Sequence, residues 1–381
     1  MQELITFSDI LIEPQMSFVA SRTNVDLSSD MGAFTLKFPV ISANMRHITG
    51  PKMAAEMNAF GGMGILYRWN SPKNAVADFK LTYQLIRSNI LFNDIAMDKE
   101  IDDIVSSKPI VAKHILVWLK EKFKDIVIDE DIDNQLVFSN PVGVSIGVKD
   151  EEKQRFDSLY KAGARIFCVD VNHGHHILVK NMIKWVRDCS DVVIIAGNIA
   201  TKEAAEDLQE WGANILKIGI GPGEICVTRR NTGVGVPQIS ALINVNAVAK
   251  VPIIADGGIK FAGDVTKALA VGADAIMMGS YLAGTTETPG KVFRDASGKL
   301  YKVYGGSASG ENKVASGANG QFVEGIMKTV EFKGHLKHIL REIKEGLQSG
   351  FSLSGASNLK EFHAKVKWNL ISKGSQIESK I

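Results

Sequence analysis

The loop Gly219-Ile-Gly-Pro-Gly-Glu-Ile-Cys226 holds the residues best suited to chemistry, because closely spaced glycines expose backbone groups beside a thiol. Backbone amides in such a turn hold an anion, and its carbonyls hold a monovalent cation. A thiol attacks only as thiolate, and an unperturbed cysteine is only about a few per cent ionised at pH 7, so it needs help. Arg229 and Arg230 stand close by in sequence and supply positive potential. A cysteine taken at random is a small buried hydrophobe. A polar, Gly-rich loop after an apolar run reverses that expectation for Cys226, whereas Cys168, inside an apolar run, and Cys189, at the end of a helical stretch, keep it.

Two further loops carry phosphate chemistry. Asp256-Gly257-Gly258 and Gly279-Ser280 each end an apolar run. A carboxylate accepts from two ribose hydroxyls while glycine amides donate to phosphate, in the manner of phosphate corners at barrel strand ends. Either element alone reads as a turn; the two on adjacent strands imply a phosphorylated ligand. Of the eight histidines, His173, His175 and His176 cluster in one stretch, but no carboxylate or cysteine stands at ligand spacing, so they read as polar loop residues.

The elements that must position these groups follow from hydrophobic patterning. Strand candidates are 39–44, 64–67, 142–148, 166–171, 192–197, 215–221, 252–258 and 275–280. Helical patterns fill 51–60, 72–88, 151–162, 176–188, 202–212, 237–249 and 262–271. The runs are almost continuous in Val, Ile and Ala, which reads as parallel strands buried on both faces. Repeated strand–helix units predict an α/β fold, a (β/α)8 TIM barrel. A doubly wound sheet is the alternative, weakened by the lack of a GxGxxG at the first βα unit. Residues 88–140 interrupt the repeat as an insertion after the second strand. Residues 305–325, rich in Gly, Ser, Ala and Asn, are expected to form a mobile flap after the eighth strand or a linker to the C-terminal helices.

Composition bounds the remaining classes. Of 381 residues, 45% are hydrophobic and 23% charged, which suits a globular domain and excludes a disordered one. Net charge is +2, from 44 basic and 42 acidic residues, so no general field attracts nucleic acid or an anionic membrane. Three cysteines are too few for a disulfide framework. No apolar run approaches the ~20 residues of a membrane helix, and the first residues lack a signal pattern, so a cytoplasmic protein is expected.

The chain resembles the IMP dehydrogenase/GMP reductase family in TFSDILIEP (6–14), SANM (42–45), VSIGVK (144–149), AGNIAT (196–201), KIGIGPGEICVTR (217–229), TGVGVPQ (232–238), PIIADGGI (252–259), GDVTKALAVGADAIMMGS (263–280), YKVYGGSAS (301–309) and VEG (323–325). These occur in family order and leave out mainly 88–140. The resemblance implies a covalent mechanism in which Cys226 attacks C2 of a purine base, with Thr228 and Glu324 relaying protons. It implies that Asp256 holds the ribose, that Gly257, Gly258, Gly279 and Ser280 hold the phosphate, and that Gly306, Ser307 and Ala308 meet the base. Ser21, Arg22, Arg68, Asp170, Val171 and Asn172, with Ile220 and Gly221, match dinucleotide contacts. The carbonyls of Gly221, Gly223 and Cys226, with Arg229 alongside, match a potassium site, and the implied assembly is a homotetramer.

Three features resemble the reductase branch, which converts GMP to IMP and ammonia with NADPH. Segment 88–140 is too short for the usual pair of regulatory domains, 305–325 contains no Arg or Tyr to activate water, and Asn44 with the GSAS and VEG elements follows the reductase pattern. The alternatives are conversion of IMP to XMP with NAD and a catalytically silent nucleotide-binding barrel. Three departures stand out. Arg46-His47 replace the usual residues after Met45, Ala308 stands where many reductases have serine, and Glu224 replaces a serine that touches phosphate. A carboxylate ~4 Å from phosphate at an effective dielectric of ~20 is repelled by several kcal/mol, so either Glu224 turns outward or the phosphate anchor differs.

Overall fold

The computed structural model describes residues 3–96, 132–305 and 326–378. Eight parallel strands close on themselves: β1 (Val40–Ser42), β2 (Met63–Leu66), β3 (Val142–Ile146), β4 (Ile166–Asp170), β5 (Val193–Ile199), β6 (Ile215–Ile218), β7 (Ile253–Asp256) and β8 (Ala275–Met278). Each pairs with its neighbour in sequence, and β8 returns to β1 with Ile276 opposite Val40. The expected (β/α)8 barrel is therefore the observed fold, and every strand candidate overlaps one barrel strand, although β2 begins one residue before its candidate and β5 runs two residues past its own. The strands are buried almost throughout, as continuous Val/Ile runs covered on both faces require.

Helices α1 (Pro51–Ala59), α2 (Pro72–Ala96), α3 (Glu151–Lys161), α4 (Ile177–Cys189), α5 (Lys202–Trp211), α6 (Gln238–Asn246) and α7 (Ala262–Ala270) alternate with the strands. Their ends follow local chemistry. His176 accepts from the Leu178 amide at the start of α4, Thr201 caps α5 through the Ala204 amide, and Gly212 takes the left-handed turn that ends α5. His175 hydrogen-bonds Asp207 of α5 at 2.7 Å. Two of the clustered histidines thus have structural partners, one of them a carboxylate that only the fold brings near.

Helix α2 runs to Ala96, eight residues beyond the predicted end at 88, so the start of the expected insertion is helix continuation. A short helix over Asn134–Ser139 leads into β3; the part of the insertion at 97–131 lies outside the described residues. After β8 an antiparallel ribbon forms from β9 (Leu300–Gly305) and β10 (Met327–Glu331), with Gly305 opposite Met327. Gly305 therefore belongs to a strand, and the rest of the expected flap, 306–325, lies outside the described residues.

Helix α8 (Leu336–Leu353) buries Leu336, Leu340, Ile343, Leu347 and Phe351 along one stripe, as its amphipathic sequence predicts. Strand Ile10–Glu13 pairs antiparallel with Lys367–Leu370, tying two segments far apart in sequence. Among the described residues, no helix is long and apolar enough to cross a membrane.

Candidate active site

The loops after the barrel strands line a cavity of about 170 Å³ that opens to solvent. The loop Gly219–Cys226 forms one wall, with Thr228 following it; Asp256-Gly257-Gly258 and Gly279-Ser280 contribute others. Glycine is needed in this wall for two reasons. Gly219 has φ +145°, and a Cβ there would lie 2.2 Å from the Asp256 carbonyl oxygen. Gly221 has φ +81°, and a Cβ there would lie 2.6 Å from Cγ of Arg229.

Cys226 is half-buried, and its Sγ donates to the Thr228 hydroxyl at 3.1 Å. Its backbone amide donates to the Gly223 carbonyl at 3.1 Å, which closes the turn that presents the thiol. Arg229 braces the same turn, its guanidinium donating to the Ile220 carbonyl at 3.4 Å and to the Val236 carbonyl. Burial lowers the Arg229 guanidinium from its ordinary value, and the charge of Cys226 opposes that shift, so the two groups feel each other. Cys168 is the contrast: burial pushes its thiol up to about 12, which keeps it protonated and inert.

A charged network lies on the strand side of the cavity. Lys217 of β6 is only 2% exposed and places Nζ 2.9 Å from Oδ2 of Asp256, the last residue of β7. The same ammonium donates to Oδ1 of Asn198 on β5. Asn198 in turn donates through Nδ2 to Asp256 Oδ2 and to the Gly219 carbonyl, both at 2.8 Å. Burial alone would depress the Lys217 ammonium, but the Asp256 carboxylate, with Cys168 and Asp170, outweighs it and leaves the group above its ordinary value. Oδ2 of Asp256 is thus tied back from two sides while the residue still lines the cavity.

Of the residues matched to dinucleotide contacts, Asp170, Val171, Asn172, Ile220 and Gly221 line the cavity. Arg68 stands behind Asp170, its Nε 3.7 Å from that carboxylate and its Nη1 3.3 Å from Glu152. Ser21 and Arg22 are not in the wall of the cavity. Ser21 caps a short 3-10 turn through the Thr23 amide, and Arg22 donates to the Ser349 hydroxyl at 3.1 Å. Of the expected cation donors, the Gly223 carbonyl already accepts from the Cys226 amide, and Arg229 stands beside the loop, its own carbonyl accepting from the Gly233 amide at 3.0 Å. Glu324, Gly306, Ser307 and Ala308 lie outside the described residues.

Motif reading missed two lining residues, Lys217 and Tyr304. A lysine inside an otherwise apolar, doubly covered strand was the available signal for the first, since such a residue is buried only when paired. Tyr304 arrives on β9, whose pairing with β10 no local pattern announces. Burial, with Glu224 and Asp256 facing it, pushes its phenol up, so it serves as a neutral hydrogen-bonding group next to Ser280.

A model of the IMP dehydrogenase / GMP reductase domain matches residues 4–381. The inosine-5'-monophosphate dehydrogenase of Cryptosporidium parvum is 35% identical over 395 residues, covering 99% of this chain and 94% of that protein. The GMP reductase of Leishmania donovani is 32% identical over 464 residues, covering 96% and 94%. The inosine-5'-monophosphate dehydrogenase of Nitrosopumilus maritimus is 31% identical over 469 residues, covering 99% and 98%. A dehydrogenase aligns over 395 residues and a reductase over 464, so chain length does not separate the two activities. The shortness of segment 88–140 therefore carries no weight in that choice.

Proposed function

The chain belongs to the IMP dehydrogenase / GMP reductase family, and within that family of purine-nucleotide oxidoreductases we propose that it converts GMP to IMP and ammonia with NADPH. The observation that carries this reading is the Cys226 thiol, half-buried in the wall of a cavity at the strand ends and hydrogen-bonded to Thr228. Reading 305–325 as lacking the Arg and Tyr that would activate water favours the reductase branch.

In this reading the Cys226 thiolate adds to C2 of the guanine base, forming a C–S bond while the ring C=N electron pair moves to nitrogen. The C2–N bond to the exocyclic amine then breaks, and ammonia departs with a proton delivered through the Thr228 hydroxyl and, by family resemblance, Glu324. A thioimidate remains on Cys226. NADPH, when bound, supplies a hydride equivalent at that carbon. The C–S bond then breaks, and Cys226 recovers its electron pair and a proton. Covalent attachment divides one difficult displacement into two steps, and proton transfer assists a poor leaving group.

The remaining residues position the substrate. Asp256, held by Lys217 and Asn198, turns a carboxylate oxygen to the ribose hydroxyls, and Gly257, Gly258, Gly279 and Ser280 receive the phosphate. Asp170, Val171 and Asn172 line the cavity alongside Cys226, where a nicotinamide group would be held. Carbonyls of Gly221, Gly223 and Cys226 suit a hard monovalent cation by donor type, and such an ion would stiffen the turn carrying the thiol. By the same resemblance, the insertion falls within 97–131, 306–325 covers the site, and the enzyme works as a homotetramer.

Incubating the protein with GMP and NADPH, and separately with IMP and NAD, tests the assignment. NADPH oxidation with stoichiometric IMP and ammonia supports it. XMP formation from IMP, with no oxidation of NADPH by GMP, overturns it in favour of the dehydrogenase.

A further inference from the structure

One wall of the cavity carries an anion of the protein's own. Glu224 lines the cavity two residues before Cys226, and its carboxylate accepts from the Lys328 ammonium on β10. Ser280, just after β8, lines the same cavity. Lys333 adds another ammonium beside the same loop, its Nζ donating to the carbonyls of Ser280 at 3.3 Å and Tyr281 at 2.9 Å. Two ammonium groups and a serine hydroxyl next to a glycine turn form a donor set for a phosphate monoester. The anion that Lys328 holds here is a side-chain carboxylate.

We propose that Glu224 is a displaceable internal occupant of the phosphate subsite: an entering 5′-phosphate takes Lys328 over and meets Ser280 in the same wall, and the Glu224 side chain turns out to solvent. The inference rests on the purine-nucleotide reading above and deepens it by assigning the residue that sets the preference for nucleotide over nucleoside. The Glu224 side chain is 48% exposed and that of Lys328 33% exposed. An ion pair at that exposure is weak, so exchange is inexpensive in free energy. Phosphate brings more charge and three acceptor oxygens, so it competes well for the same donors. Burial pushes the Glu224 carboxyl up, but the hydrogen bond from Lys328 and the charges of Lys328 and Lys333 outweigh it, so the group is an anion at neutral pH. An anion that must be expelled lowers the affinity for phosphorylated ligands and leaves the affinity for a nucleoside untouched.

Calorimetric titration of GMP, guanosine and inorganic phosphate into the wild type, Glu224→Gln and Lys328→Met tests this. Glu224→Gln is expected to tighten GMP and phosphate about tenfold, or 1.4 kcal/mol, with guanosine shifting less than about twofold. Lys328→Met is expected to weaken GMP and phosphate by a similar factor and to spare guanosine. The inference is overturned if Glu224→Gln weakens or leaves unchanged the binding of GMP and phosphate, or if it shifts guanosine as much as GMP. Failure of both purine ligands to bind the wild type would defeat the purine reading. The phosphate titrations would still decide the role of Glu224.

Discussion

Lys217 and Lys328 each pair with a carboxylate that lines the same cavity, Asp256 in the first case and Glu224 in the second. Lys217 is 2% exposed and reaches its partner between barrel strands, while Lys328 is 33% exposed and meets a loop residue. The difference decides what each pair does. A buried pair cannot lose one member without stranding a charge, at a cost of roughly 3–5 kcal/mol, so it is fixed scaffolding. An exposed pair contributes about 0–1 kcal/mol and exchanges readily. On the proposed reading, the strand ends would hold the ligand's ribose in one place, and the loops would be where partners change and bonds are made.

The largest effect is expected from the loop side and in rate alone. Cys226→Ala should lower GMP turnover by roughly 10³-fold or more, while nucleotide binding and the melting temperature stay near wild type. NADPH oxidation and calorimetry measure the two; turnover within tenfold of wild type would end the covalent mechanism. Next comes stability on the strand side. Lys217→Met should reduce unfolding free energy by roughly 3–5 kcal/mol in urea titrations, and the double variant with Asp256→Asn should recover part of the loss because no lone charge remains. A loss in the single variant no larger than that of Lys328→Met would erase the contrast drawn here.

Thr228→Val should lower kcat by about 10²-fold, the usual scale of a lost proton relay, with KM for GMP little changed. A rise in KM at constant kcat would make Thr228 a binding residue instead. The smallest effect is one of pH. Lys217 sits above its ordinary value of 10.5 because Asp256 outweighs burial, so its contribution is fully present below pH 10.5 and is lost as pH rises through the folded value. The wild type should lose stability across that alkaline window and Lys217→Met should not; parallel pH profiles would refute the coupling.

Much of this was legible in the sequence, and the reasons are local. Continuous apolar runs of Val and Ile mark doubly covered parallel strands, which is why all eight barrel strands could be placed. Gly219–Cys226 and Asp256-Gly-Gly announce themselves through glycine spacing, and the structure brings both into one wall. The helix boundary at Ala96 was missed because residues 88–96 carry few periodic cues of their own. Lys217 was read as part of an apolar strand; its partners Asn198 and Asp256 lie 19 and 39 residues away, a separation no motif spans. The role of Glu224 was visible only as a conflict with phosphate, since Lys328 is 104 residues distant. Ser21 and Arg22 matched by alignment alone, and in the fold they cap and fasten a turn outside the cavity wall.

The pairing of Ile10–Glu13 with Lys367–Leu370 has a further effect on how the molecule is made. The earlier strand leaves the ribosome long before its companion exists, and Ile10, fully enclosed in the finished protein, must wait as a sticky apolar edge. Barrel assembly can proceed during translation, but this clasp closes only after Lys367–Leu370 has been made. A chain cut before Lys367 would leave the Ile10–Glu13 edge without this partner, the kind of open edge at which strands of separate chains pair.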